Sequence, residues 1–176
     1  MTEPLDIKAL FSQAGTPSYP FLDDRGQLCW LEALTDEGGR LAIKQQSPQG
    51  ERVITPAGFQ MRSRVHEYGG QCFCIAGEYI YFNNFTDGVI YRQSLHHGES
   101  PVALSAPQQG SIAYADLHYC ETLNVLLAIQ ELAGVSAAEN INRVVAFSLA
   151  QVEPTVPQVL LEGADFYAAP CISDQG

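Results

Sequence analysis

Basic charge is scarce in this sequence: of 176 residues, nine are Lys or Arg against 20 Asp or Glu, for a formal net charge of -11. Only two lysines occur, Lys8 and Lys44. A protein that neutralises phosphates needs a basic patch, so no nucleic-acid partner is expected, and anionic membrane surfaces are disfavoured for the same reason. Long hydrophobic runs are missing too, none approaching the roughly 20 residues that cross a bilayer. Met1-Thr2-Glu3-Pro4 has neither the basic start nor the apolar core of a signal peptide, so the expected compartment is the cytoplasm. The five cysteines (Cys29, Cys72, Cys74, Cys120, Cys171) are an odd set without disulfide-framework spacing, which implies reduced thiols. On a strand Cys72 and Cys74 share one face, but no second pair stands at zinc-site spacing, so both are expected in the core and no metal or cofactor is expected.

The motifs of catalysis are also missing. Gly98-Glu99-Ser100-Pro101-Val102 approaches a nucleophile elbow but lacks its second glycine and falls in a turn. There is no P-loop, no G-x-G-x-x-G and no H-E-x-x-H, and the histidines (His66, His96, His97, His118) are dispersed. The acidic residues sit mostly in turns and on solvated strand faces, with no pair placed for acid and base work.

What is present is strand. After a short N-terminal helix expected from Pro4 to about Ala14, with Leu5, Ile7, Leu10 and Phe11 at helical spacing, the chain becomes short segments rich in Tyr, Phe, Val, Ile and Leu. Turn clusters such as Asp23-Asp24-Arg25-Gly26 and Thr86-Asp87-Gly88 separate them. The fold class is all-β. The segments recur by type: Gly26–Glu32, Gly77–Asn83 and Asn124–Glu131; then Arg40–Gln45, Gly88–Gln93 and Arg143–Ser148; then Arg52–Pro56, Pro101–Ser105 and Gln158–Glu162. A period of roughly 50 residues with about four strands per unit is the pattern of β-propeller blades, with a sandwich of unequal hairpins as the alternative. The reading is an N-terminal helical segment 1–16 and a partial propeller 17–176, with blades at 17–57, 66–106 and 112–162. The opening strand of a fourth lies in 164–176. Propellers close with about 4 to 8 blades, so an incomplete propeller of about three blades is expected, with the chain interrupted mid-blade. Leu132–Asn140 is expected as an exposed loop between middle strands.

One segment stands out, Met61-Arg62-Ser63-Arg64-Val65-His66-Glu67-Tyr68-Gly69-Gly70. Alternation places Arg62, Arg64 and His66 on one side of an extended stretch, and the Gly-Gly step lets the backbone approach something closely. In one reading it is a crossover whose arginines pair with carboxylates of the neighbouring blade. In the other it is a rim patch for peptide termini. Glu67 then takes an amine and the arginines a carboxylate, and His66 and Tyr68 complete a candidate substrate-binding set.

From Ile54 onward the sequence resembles the N-terminal propeller of bacterial members of the prolyl oligopeptidase family, the dipeptidyl aminopeptidase and acylaminoacyl-peptidase-like branch. The resemblance is carried by Thr55-Pro56-Ala57-Gly58-Phe59, Arg62–Gly70, Ile80–Asp87, Tyr91-Arg92-Gln93, Tyr114-Ala115-Asp116, Glu131 and Glu162–Pro170. Gln71 stands where the family continues with a third glycine, and Ser173-Asp174-Gln175-Gly176 where it prefers Ser-Pro-Asp-Gly. The resemblance implies a serine peptidase in which a propeller precedes an α/β-hydrolase domain with a Ser-Asp-His triad and limits access to short peptides. No triad position maps onto these residues, so the chain is expected to be a non-catalytic part of such an enzyme, inactive alone. The alternative is a stand-alone interaction module whose open blade edges are completed by homo-oligomerisation.

Overall fold

The structure, a computed structural model, describes residues 15–96, 98–106, 111–134, 140–150 and 153–173. The expected N-terminal helix lies outside them. Among the described residues the one helical element is a 3-10 turn at Thr35–Glu37. The architecture is all-β, that of an incomplete propeller: three four-stranded antiparallel sheets, each a meander with its strands in chain order. The chain divides into two compact units, Met1–Ala57 with one sheet and Gly58–Gly176 with two.

The first unit holds β1 (Ser18–Leu22), β2 (Leu28–Leu34), β3 (Arg40–Ser47) and β4 (Gly50–Val53). The turn into β2 forms because the Asp23 carboxylate accepts the backbone N–H groups of Arg25 and Gln27 at 3.0 and 2.7 Å, the local bonding that makes Asp a turn residue. Leu31 pairs with Ile43 at the sheet centre, and both are buried with Cys29, Trp30, Leu34 and Ala42. Burial, then the nearby Asp23 charge, pushes the Cys29 thiol up to about 11. The Glu32 carboxylate takes the Trp30 indole N–H and the Lys44 ammonium at 2.6 and 2.7 Å.

The second unit holds β5 (Phe73–Ala76), β6 (Tyr79–Asn83), β7 (Ile90–Ser94) and β8 (Val102–Ala103), then β9 (Ile112–Cys120), β10 (Val125–Leu132), β11 (Ile141–Ser148) and β12 (Gln158–Glu162). Its core lies between the two sheets: Cys74, Tyr81, Ile90 and Leu104 from one side meet Tyr114, Leu117, Leu126, Ala128, Val145 and Phe147 from the other. The alternation of Leu126 with Leu127 and Ala128 with Ile129 sends one face of β10 into this core. Ile129 lies on the opposite face, with Val65, Ala115 and Val144. Burial pushes the Cys72 and Cys74 thiols up to about 12, in keeping with their expected place as small core hydrophobes. All five cysteines are free thiols.

The recurring segments of the sequence are the second, third and fourth strands of each sheet. The first strands, β1, β5 and β9, went unplaced for local reasons. β5 has four residues, and β9 carries an irregularity opposite Leu127–Ile129 that puts Tyr114 and Leu117, three apart, into the same core. Of the loop expected at Leu132–Asn140, between β10 and β11, residues 135–139 lie outside the described residues. The stretch 164–173, expected to open a further blade, pairs with no strand among the described residues, because a strand exists only where a neighbour completes its ladder.

Two sheets end in the same way. The Ile43 N–H donates to Thr55 Oγ1 at 3.0 Å and the Ile90 N–H to Ser105 Oγ at 2.9 Å. The Ile54 and Leu104 N–H groups donate to the carbonyls of Ile43 and Ile90. Both hydroxyls are buried, so each satisfies a backbone donor that the short outer strand does not reach.

Candidate functional site

Between Gly58 and β5 the chain crosses the ends of both sheets of the second unit. Val65 anchors this crossover by burial against Ile129, Ala115 and Val144. Its backbone then turns sharply: His66 and Glu67 have φ of 54° and 66°, and the Tyr68 N–H donates to His66 O at 2.8 Å, a γ-turn centred on Glu67. Consecutive left-handed, non-glycine residues are costly and persist only where their surroundings over-determine them. Here the determinant is Glu131 on β10, whose Oε2 accepts the His66 backbone N–H at 3.0 Å. The His66 ring joins the same bracing. Its Nδ1 lies 3.3 Å from that carboxylate oxygen, within ion-pair reach of a protonated ring though not aligned for a hydrogen bond. Its Nε2 lies 3.3 Å from Tyr167 O.

The far end of the crossover is held by a second carboxylate. Asp116 accepts the Gln71 N–H at 3.0 Å and the Ala169 N–H at 2.9 Å. This is the close approach the glycine pair permits: a Cβ on Gly70 would stand 2.7 Å from Asp116 Oδ1, and Gly69 has φ of 84°. Asn83 fixes the start, donating from Nδ2 to Arg62 O at 2.6 Å.

The crossover forms one side of a cleft of about 620 Å³. Arg62, Arg64 and Glu67 line it, and so do Asn83, Phe85 and Glu131. The five residues singled out in the sequence therefore part company. His66 does not continue the row of Arg62 and Arg64, because the stretch stops being extended at that residue. It is buried as a brace. Tyr68 is 83% exposed and lies outside the cleft lining. The arginines do not pair with carboxylates of the neighbouring sheet either. Among the described residues neither has an ion-pair partner, and both guanidiniums lie over the Phe85 ring, at 5.1 and 4.2 Å from its centroid. Sequence reasoning gave no role to Glu131, Asn83 or Asp116. All three stood among the residues carrying the family resemblance, the one signal that pointed at them.

The chain matches no family model, and no curated protein matches it in sequence. It is similar in fold to solved structures. A puromycin-hydrolysing peptidase of Mycobacterium tuberculosis superposes with a TM-score of 0.78 over 92% of this chain, at 22% identity. A puromycin hydrolase superposes with a TM-score of 0.72 over 85% of it, at 20% identity. The chain spans about a quarter of the length of these enzymes, 26% and 24% respectively. In fold this chain therefore corresponds to one part of a puromycin-hydrolysing peptidase, in agreement with the propeller resemblance carried by Arg62–Gly70.

Proposed function

We propose that this chain is the non-catalytic propeller portion of a serine peptidase of the prolyl oligopeptidase family, which in the full-length enzyme limits access to, and helps bind, short peptides. The observation that carries this is the fold match over 92% of the chain to part of a puromycin-hydrolysing peptidase. On this reading the Ser-Asp-His triad belongs to an α/β-hydrolase partner domain outside these 176 residues. The role of the propeller is steric and electrostatic. Arg62, Arg64 and Glu67 face a cleft of the volume usual for small-ligand sites, while His66 holds the turn that presents them.

The test uses the purified chain with aminoacyl and dipeptidyl chromogenic substrates and a fluorophosphonate probe. No turnover and no labelled serine are expected, and labelling of any serine would overturn the proposal. The coding sequence downstream should continue into a further strand and a G-x-S-x-G. Intergenic sequence without such a remnant speaks against it.

A second reading, a module completed by its own copies, has one observation in its favour. Every residue of β12 is exposed, Leu160 and Leu161 by 45% and 56%, as an uncovered outer strand would be. Light scattering separates the two, since a closed dimer of defined mass supports the module.

A further inference from the structure

Past the end of β12 the chain runs back over the crossover as a strap, residues 164–170, that belongs to no sheet. Three groups tie it down. Asn142 Nδ2 donates to Asp165 O at 2.6 Å, and Asp116 Oδ2 accepts the Ala169 N–H at 2.9 Å. Between these two ties the His66 ring reaches Tyr167 O from Nε2 at 3.3 Å, with Phe166 packed edge-on at 4.8 Å. At its other nitrogen, Nδ1 stands 3.3 Å from Glu131 Oε2. The ring and the carboxylate are 8% and 9% exposed, so neither is freely solvated.

Both oxygens facing the ring, one of a carboxylate and one of a carbonyl, accept and cannot donate. Neutral imidazole has one N–H and one lone pair, so either tautomer turns a lone pair toward an oxygen. With the proton on Nε2, the Nδ1 lone pair confronts a buried carboxylate. With the proton on Nδ1, Tyr167 O loses its donor. Only the doubly protonated ring serves both oxygens and compensates the Glu131 charge. Of the two neutral arrangements the second costs less, because repulsion between a lone pair and a full charge outweighs the loss of one bond to a neutral carbonyl.

We propose that His66 is a pH-dependent latch: protonated, it ties the strap to the crossover through Tyr167, and on losing a proton it keeps Glu131 and releases the strap. Histidine is the side chain that ordinarily changes charge between roughly pH 5 and 8. The other two ties do not share that window, since Asn142 does not titrate and carboxylates such as Asp116 change charge well below it. The elements packed on the ring carry Glu131 from β10, Asp165 and Tyr167 from the strap, and Arg64, Glu67 and Tyr68 from the crossover. Among the described residues Glu131 is the one charged group within ion-pair reach of the ring. Arg64 lies over Phe85, and phenols titrate near about 10. Because the held form is the protonated one, the latch is closed on the acid side and opens as pH rises through the titration of the ring. The turn itself stays, since the His66 backbone N–H bonds Glu131 in both states.

The test is NMR of the isotopically labelled 176-residue chain from about pH 5 to about pH 8.5, bracketing the histidine range. The His66 ring carbon shifts report its protonation, and amide exchange, corrected for its intrinsic pH dependence, reports the strap. Protection at Ala164 and Ala169 is expected to fall about fivefold as pH rises, the effect of one ordinary hydrogen bond, with the midpoint of the ring's own titration. The Ile90 amide should show no such step. His66→Gln, whose side-chain amide donates at every pH, should abolish it. Unchanged protection through the titration of the ring, or a ring that keeps one protonation state across the range, overturns the proposal on the wild-type chain alone. So does a step of equal size in His66→Gln.

Discussion

Two kinds of oxygen hold the backbone where it leaves a sheet, and they differ in distance along the chain, in charge and in what they hold. At the outer edges the oxygen is a hydroxyl, Thr55 or Ser105, that reaches back 12 or 15 residues to Ile43 or Ile90. At the crossover it is the carboxylate of Glu131, 65 residues from His66, holding two consecutive residues of positive φ. A hydroxyl costs little to bury and recurs where a blade ends. A carboxylate costs far more to desolvate, so its use to clamp a strained turn beside a cleft needs another reason. The neutral closures end sheets; the charged ones, Glu131 and Asp116, hold the crossover beside the cleft. The cations divide in the same way. Arg40 pairs with Glu37, Lys44 with Glu32 and Arg143 with Glu162, whereas Arg62 and Arg64 lie on an aromatic ring.

The largest expected effect breaks the charged closure. Glu131→Ala strips the charged acceptor from the His66 N–H that holds the turn, and should lower stability by about 3 kcal/mol in urea melts. Hydrogen exchange should speed up at the His66, Tyr68 and Gly69 amides and leave the Ile43 and Ile90 amides protected; uniform loss of protection would mean that the turn is not a separate element. Next comes the anchor beneath the turn. Val65→Ala opens a void against Ile129 and Val144 and should cost about 1–3 kcal/mol.

The neutral closures should respond more weakly and alike. Thr55→Val and Ser105→Ala each leave one buried N–H without its side-chain acceptor, for about 1–2 kcal/mol apiece. A much larger loss at one than at the other would show that the two edges are not equivalent.

The smallest effect concerns an ordinary pair. Burial alone would raise the Glu32 carboxyl, but the Lys44 ammonium and the Trp30 N–H outweigh it and hold the group below its usual range. The stabilisation is therefore present above the ordinary carboxylate value of about 4.3 and is lost as pH falls through the lower folded value. Lys44→Met should flatten the acid limb of the stability profile slightly, read by fluorescence of Trp30. An unchanged limb would show the pair to be inert.

Much of the fold was legible because it rests on period. The runs of aromatic and aliphatic residues in Tyr79–Asn83 and Val125–Leu132 and the Asp- and Gly-containing turns mark strands without help from the rest of the chain. The first strand of each sheet escaped because shortness in β5 and the irregularity in β9 erase the alternation that identifies a strand. At the site, the sequence singled out Arg62, Arg64 and Glu67, which line one cleft. It read His66 as the third member of a row with Arg62 and Arg64 because alternation presumes extended backbone, and the turn at His66 is imposed by a residue 65 positions away.

By itself the sequence determined the class and the repeat, since composition and local periodicity govern those. Which charged groups are spent and which are free was decided by tertiary structure alone. An ion pair forms through proximity in space, and proximity brought Glu131 to His66, Asp116 to Gln71 and Ala169, and no carboxylate to Arg62 or Arg64. A chain this acidic would lead one to expect every arginine to find a partner, and two of them beside the cleft have found none among the described residues.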